Sequence, residues 1–156
     1  VRKIICSFPK TANSHVFDSL YAAKEIELEL VPQGTLAERL RCAGAGLGGF
    51  FTPTGVGTPI AQGKRTEVIN GREFLFETPL PAEFALIQAD AADRWGNLTY
   101  RKTARNFGPV MCAAATTTIV QVARIVPLGS IDPEHVVTPG IFVSRVVEVS
   151  HPLYSS

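Results

Sequence analysis

A chain of 156 residues, 46% hydrophobic and 19% charged, has enough apolar side chains for one domain-sized core and lies far from disordered compositions. Its formal charge of +1 offers no general attraction to nucleic acid or anionic lipid, which sets nucleic-acid binding aside as a primary role. No apolar run approaches the roughly 20 residues needed to cross a bilayer, so no membrane association and a soluble, cytoplasmic protein are expected.

Residues 2–7 open the chain on an apolar run, Ile4-Ile5-Cys6, whose lack of a polar face predicts a buried strand. Asn13 or Ser14 then offers a cap for a helix reaching Lys24, with Val16, Phe17, Leu20 and Tyr21 along one stripe. Residues 27–31 read as a short second strand. Thr35-Leu36-Ala37-Glu38 has the capping-box pattern, in which hydroxyl and carboxylate satisfy reciprocal backbone donors, so a helix is expected from there to about Ala43. The glycine-rich residues 44–49 end it.

Two strands, residues 64–69 and 72–77, flank Asn70-Gly71, a dipeptide that supplies the positive φ angles of a type I′ hairpin. Glu67, Glu73 and Glu77 are expected to point outward. Residues 84–89 read as another buried strand, Gly96-Asn97 as a turn into residues 98–101, and residues 109–115 as a helix. Residues 118–122 and 141–149 are strand-rich. Helical patterns alternating with apolar runs predict an α/β fold: a mostly parallel open sheet with flanking helices and an inserted β-hairpin.

Gln33 falls where a strand gives way to a helix, the carboxyl-end position at which open α/β sheets collect ligands. Its amide donates and accepts at once, suiting a thioester carbonyl or a carboxylate, although a turn amide serving its own loop reads the same way. Gly34 would let a ligand approach the backbone, or simply ease the turn. Residues 44–49 lack the preceding strand and the acidic partner of a dinucleotide site, so close packing or a hinge is expected there. The Thr52 to Thr58 stretch has no P-loop lysine. Arg101, Lys102 and Arg105 form a basic group able to pair with phosphates or carboxylates, or to form a solvated face. Cys6, Cys42 and Cys112 are odd in number and sit among small or apolar residues, and His15, His135 and His151 are scattered, so buried thiols and no metal site are expected. Ser14 and His15 diverge on a helix by about 100° and make a poor nucleophile and base pair.

Three motifs in order carry a resemblance: Val31-Pro-Gln-Gly-Thr-Leu-Ala-Glu-Arg39, Phe50-Phe-Thr-Pro-Thr-Gly-Val-Gly-Thr58, and Trp95-Gly-Asn-Leu-Thr-Tyr-Arg-Lys102 followed by Ala104-Arg-Asn-Phe107. The chain resembles the A (alpha) subunits of the family I coenzyme A transferases over nearly its whole length. Residues 1–8 and 14–18 look most like members acting on 3-oxoadipate, with the acetoacetate enzymes next. The resemblance implies transfer of CoA from succinyl-CoA to a 3-oxo acid, with 3-oxoadipate preferred; acetoacetate or acetate enzymes and a non-catalytic α/β scaffold or regulatory domain are the alternatives. It assigns Gln33 and Gly34 to substrate binding and places the residue 52–58 loop on the active-site side. It puts no catalytic residue in this chain, because the nucleophilic glutamate belongs to a motif of the B (beta) subunit. CoA is then a substrate and no cofactor is implied. Partners are the beta subunit, an acyl-CoA and a 3-oxo acid, in a hetero-oligomer. A dicarboxylate acceptor would need a second cationic anchor, for which Lys10, Arg101 and Arg105 are candidates. The resemblance also implies a strand and helix region before Val1, so residues 1–156 are expected to be one alpha-subunit domain lacking its N-terminal part.

Overall fold

A computed structural model describes residues 1–9 and 14–149. The chain forms two compact units, one built from Val1–Arg39 with Gly48–Thr78 and the other from Leu40–Leu47 with the chain from Pro79 onward.

In the first unit, β1 (Lys3–Cys6), α1 (His15–Ala22) and β2 (Glu27–Leu30) make a βαβ turn whose strands pair in parallel from Lys3↔Glu27 to Cys6↔Leu30. The expected burial of β1 is not reached, because the strand has a single neighbour and α1 contributes no buried residue. The apolar stripe of α1 is half open: Val16 and Tyr21 are 63% and 51% exposed, and Phe17 stacks on Tyr21 at 5.7 Å. Ser14 occupies the cap position without a side-chain bond, and Asn13 lies outside the described residues. The helix stops at Ala22, short of Lys24, which itself takes a left-handed φ of 59°.

The next helix, α2 (Gln33–Gly44), begins earlier than the capping box implied. Pro32 already offers its carbonyl to the Leu36 amide at 2.9 Å, so it is Pro32 that accepts the first helical bond, and Thr35 falls in the first turn with its side chain buried. The helix ends as its glycines predict. Gly46 takes φ 68°, its amide bonds the Ala43 carbonyl and the Leu47 amide bonds the Cys42 carbonyl, the paired reversal of a Schellman motif.

β3 (Phe50–Thr52), β4 (Thr66–Ile69) and β5 (Arg72–Glu77) form an antiparallel sheet in the order β3-β5-β4. Asn70 and Gly71 take φ 51° and 76° between Ile69 and Arg72, the expected I′ geometry. Glu67 and Glu73 are exposed, but Glu77 is not: it shares a face with fully buried Leu75 and binds Lys64 Nζ at 2.5 Å. Strand alternation puts its carboxylate inside, where only a paired charge is tolerated.

The second unit contains β6 (Ala82–Asp93), β7 (Leu98–Thr99), α3 (Ala104–Ala114), β8 (Ala115–Val126) and β9 (Arg145–Glu148), with the sheet order β7-β6-β8-β9. β6, β8 and β9 run parallel, and α3 lies in the crossover between β6 and β8. One face of the sheet packs Ala85, Ile87, Ala89, Val120 and Val122 with Leu98 and Cys112. The helix expected from Pro109 starts at Ala104, leaving Pro109 inside it. Gly140–Phe142 is a 3-10 turn, so the last strand is shorter than residues 141–149. Gly44 is a packing glycine, since a Cβ there would stand 2.7 Å from Ala113 Cβ. The α/β class, with its longest registers parallel, its crossover helices and its inserted hairpin, is the one expected from the sequence.

Candidate functional site

β2 ends at Leu30, Val31 is buried, and Gln33 opens α2, so Gln33 sits at the carboxyl end of a parallel strand and the amino end of a helix. Gln33 and Gly34 are both exposed, and the Gln33 amide has no hydrogen-bond partner among the described residues. The turn-amide reading would have engaged it with its own loop. Gly34 has no positive φ, and a Cβ on it would meet no atom within 4 Å, so neither conformation nor packing demands glycine there. What glycine provides is an open backbone whose first-turn N–H groups point outward, the arrangement that suits an oxygen-bearing ligand.

This turn is held from behind by charge. Arg39, 8% exposed, donates from Nε to the Thr78 carbonyl at 2.9 Å and from Nη1 to Glu29 Oε1 at 2.7 Å. Lys3 Nζ reaches Glu29 Oε2 at 2.8 Å and Glu27 Oε1 at 3.0 Å. The Lys3 bond, helped by Arg39 and opposed by partial burial, holds the Glu29 carboxyl below its ordinary value. Sequence reasoning overlooked Arg39; the alternation Glu27-Leu28-Glu29 against a helix carrying a basic residue was the available signal.

The hydroxyls of the residue 52–58 loop serve the loop itself. Thr52 Oγ1 accepts from the Thr54 amide at 3.2 Å, Thr58 Oγ1 donates to the Gly55 carbonyl at 2.7 Å and accepts from the Ile60 amide at 3.3 Å. In the second unit Arg105, with Asp90, Thr99, Tyr100, Glu134 and His135, lines an open cleft of about 580 Å³. Arg101 is exposed and not among the cleft's lining residues, and Lys10 lies outside the described residues. Tyr100 Oη shares a proton with Thr138 Oγ1 at 2.8 Å and approaches Cys112 Sγ at 3.6 Å. Burial pushes both the Tyr100 hydroxyl and the Cys112 thiol up, so both stay protonated at neutral pH and neither is an activated nucleophile. Cys42 is buried as expected, whereas Cys6 is only partly covered.

A family match over nearly the whole chain decides its class: the coenzyme A transferase profile covers residues 1–149. The chain belongs to the coenzyme A transferase family. It is 62% identical over 156 residues to the A subunit of 3-oxoadipate CoA-transferase from Pseudomonas putida, covering 100% of this chain and 68% of that protein. It is 60% identical over 149 residues to the protein of the same name from Acinetobacter baylyi, covering 96% and 65%. The chain therefore spans about two thirds of the length of these curated relatives. Among solved structures, glutaconate coenzyme A-transferase from Acidaminococcus fermentans superposes with a TM-score of 0.79 at 20% identity, over 94% of this chain and 55% of that one. That likeness speaks for the fold, and the sequence relatives place the chain with the transferase subunits called A or alpha. No helix among the described residues is long and apolar enough to cross a membrane.

Within this CoA transferase chain the Trp95-Gly-Asn97 motif is structural in its details. Asp93, 3% exposed, accepts from the Trp95 and Asn97 amides at 2.9 and 3.0 Å and from Asn97 Nδ2 at 2.8 Å, while Asn97 Oδ1 accepts from the Gly140 amide at 2.9 Å. Burial alone would raise the Asp93 carboxyl, but the Asn97 and backbone hydrogen bonds together hold it below its ordinary 3.8. A depressed carboxyl contributes stability that is full above the unfolded value and is lost as pH falls through the folded one. The thermal midpoint of the wild type is therefore expected to drop as pH falls below about 3.8, and Asp93→Asn to start lower at neutral pH and change less over that acid window. Equal acid slopes for the two proteins would remove Asp93 as the cause.

Proposed function

We propose that this chain is the larger part of an alpha subunit that works with a beta subunit to move CoA from succinyl-CoA to a 3-oxo acid, 3-oxoadipate before acetoacetate. The observation that carries this reading is the 62% identity over the whole chain to a protein named for that reaction. The open Gln33 amide and the Gly34 backbone at the start of α2 suit it, because a thioester carbonyl or a carboxylate needs positioned donors and little else from this side.

In this reading a glutamate of the beta subunit attacks the acyl carbon of succinyl-CoA, the CoA thiolate leaves, and an acyl-glutamyl anhydride remains. The thiolate then attacks the glutamyl carbonyl, releasing succinate and leaving CoA on the enzyme as a thioester. The acceptor carboxylate repeats the sequence in reverse and departs as its CoA thioester. Gln33 orients the reacting oxygen, with the Gly34 and Thr35 amides beside it. CoA is a substrate throughout, no cofactor is required, and the setting is cytoplasmic.

Acceptor choice is tested by competition in the reconstituted two-subunit enzyme. With succinyl-CoA as donor, 3-oxoadipate is expected to show the higher kcat/KM, since its second carboxylate offers an additional anion for a cation such as Arg105. Preference for acetoacetate would overturn the acceptor and leave the family assignment standing.

A further inference from the structure

We propose that Arg39 is a positioning residue for Gln33: its buried guanidinium sets where the first turn of α2 stands, and therefore where the Gln33 amide points. This rests on the assignment of Gln33 to the substrate site.

Between Gln33 and Arg39 the buried side chains are Thr35 and Arg39, 4% and 8% exposed, while Leu36 is only half-buried. The opening of α2 thus lacks the apolar stripe that usually seats a helix. Arg39 takes over that task. Its Nε bonds the Thr78 carbonyl just after β5 and its Nη1 bonds Glu29 on β2, so one planar fork ties the helix to two separate strands. Apolar contacts tolerate sliding, whereas a fork with two fixed acceptors defines rotation and register together. Glu29 is itself held by Lys3 on β1, so the anchor is braced across both strands of the parallel pair. Gln33 lies six positions earlier on the same helix, about 9 Å along its axis, within rigid reach of the anchor. A buried charge with satisfied partners adds little net stability compared with an apolar replacement of similar size, which leaves orientation as what the guanidinium contributes.

The test uses the complete two-subunit enzyme with Arg39→Met, Arg39→Lys and Glu29→Gln, each alone and with Gln33→Ala. Thermal melts identify variants that fold, and Glu29→Gln, which keeps an acceptor oxygen, provides a milder version should Arg39→Met fold poorly. Arg39→Met is expected to lower kcat by about tenfold with a smaller change in KM, and Arg39→Lys to recover part of it. Adding Gln33→Ala to Arg39→Met should cost less than about twofold more, because the two residues act as one unit. Amide hydrogen exchange at residues 34–37 should rise about tenfold in Arg39→Met, with β6 and β8 unchanged. Losses that multiply, or first-turn exchange that stays at the wild-type rate, would overturn the proposal. A silent Gln33→Ala beside a loosened first turn would remove Gln33 from the site while supporting the anchoring by Arg39.

Discussion

Gln33→Ala in the assembled enzyme is expected to lower kcat/KM by about ten- to a thousandfold, the scale of removing one positioned polar group from an active site. The geometry makes this a clean experiment. The side chain is exposed and has no partner among the described residues, so its loss breaks nothing in the fold. Circular dichroism and thermal melts of the variant should match the wild type, with the whole effect in the kinetics. If the donor contacts oxygen mainly in the transition state, kcat carries most of the loss; if it binds ground and transition states alike, KM does. Wild-type kinetics from a complete complex would remove Gln33 from the site.

Leu98→Ala should destabilise the second unit by about 2–5 kcal/mol, the cost of deleting a large apolar side chain from a packed core. Leu98 is 0% exposed and sits in the cluster formed with Ile87, Ala89, Val120 and Val122. Its backbone is also committed, with the amide donating to the Thr138 carbonyl at 2.9 Å and the carbonyl accepting from Val137 at 3.0 Å, so the strand has little freedom to collapse into the void. The single tryptophan, Trp95, lies three residues away and lets urea unfolding of this unit be followed by fluorescence. Ile141→Ala is the matched control: Ile141 is 86% exposed, and a change within about 0.5 kcal/mol is expected. Equal destabilisation by the two substitutions would contradict the placement of the core.

Local chemistry was the legible part of this chain. Asn70-Gly71 states its own turn type, and the glycines after Gly44 state the helix end, because positive φ angles select so few residues. The parallel strands β6 and β8 read as short apolar runs, yet each spans 12 residues, since polar Gln88 and Gln121 interrupt the pattern on the face away from α3. The miss at β1 and α1 arose from treating an apolar run as proof of burial, when burial depends on neighbours that the run cannot specify. Arg105 and Asn106 disguised the first turns of α3, and Pro109, favoured at helix starts, drew the expected boundary forward. Glu77 and Arg39 were the instructive cases: each charged side chain is buried because a partner distant in sequence, Thr78 and Glu29 for Arg39 and Lys64 for Glu77, meets it only in the folded chain. Gln33 itself was visible as a strand-to-helix junction, but the openness of its surroundings was not.

The division of labour between the two kinds of subunit is the claim on which the rest depends, and one measurement reaches it directly. The complete complex is incubated with succinyl-CoA without acceptor, treated with borohydride to reduce any glutamyl thioester, and digested for peptide mass spectrometry. The account predicts a single modified glutamate in the beta subunit, with every peptide of this chain at its unmodified mass. A reduced glutamate within these 156 residues would contradict it.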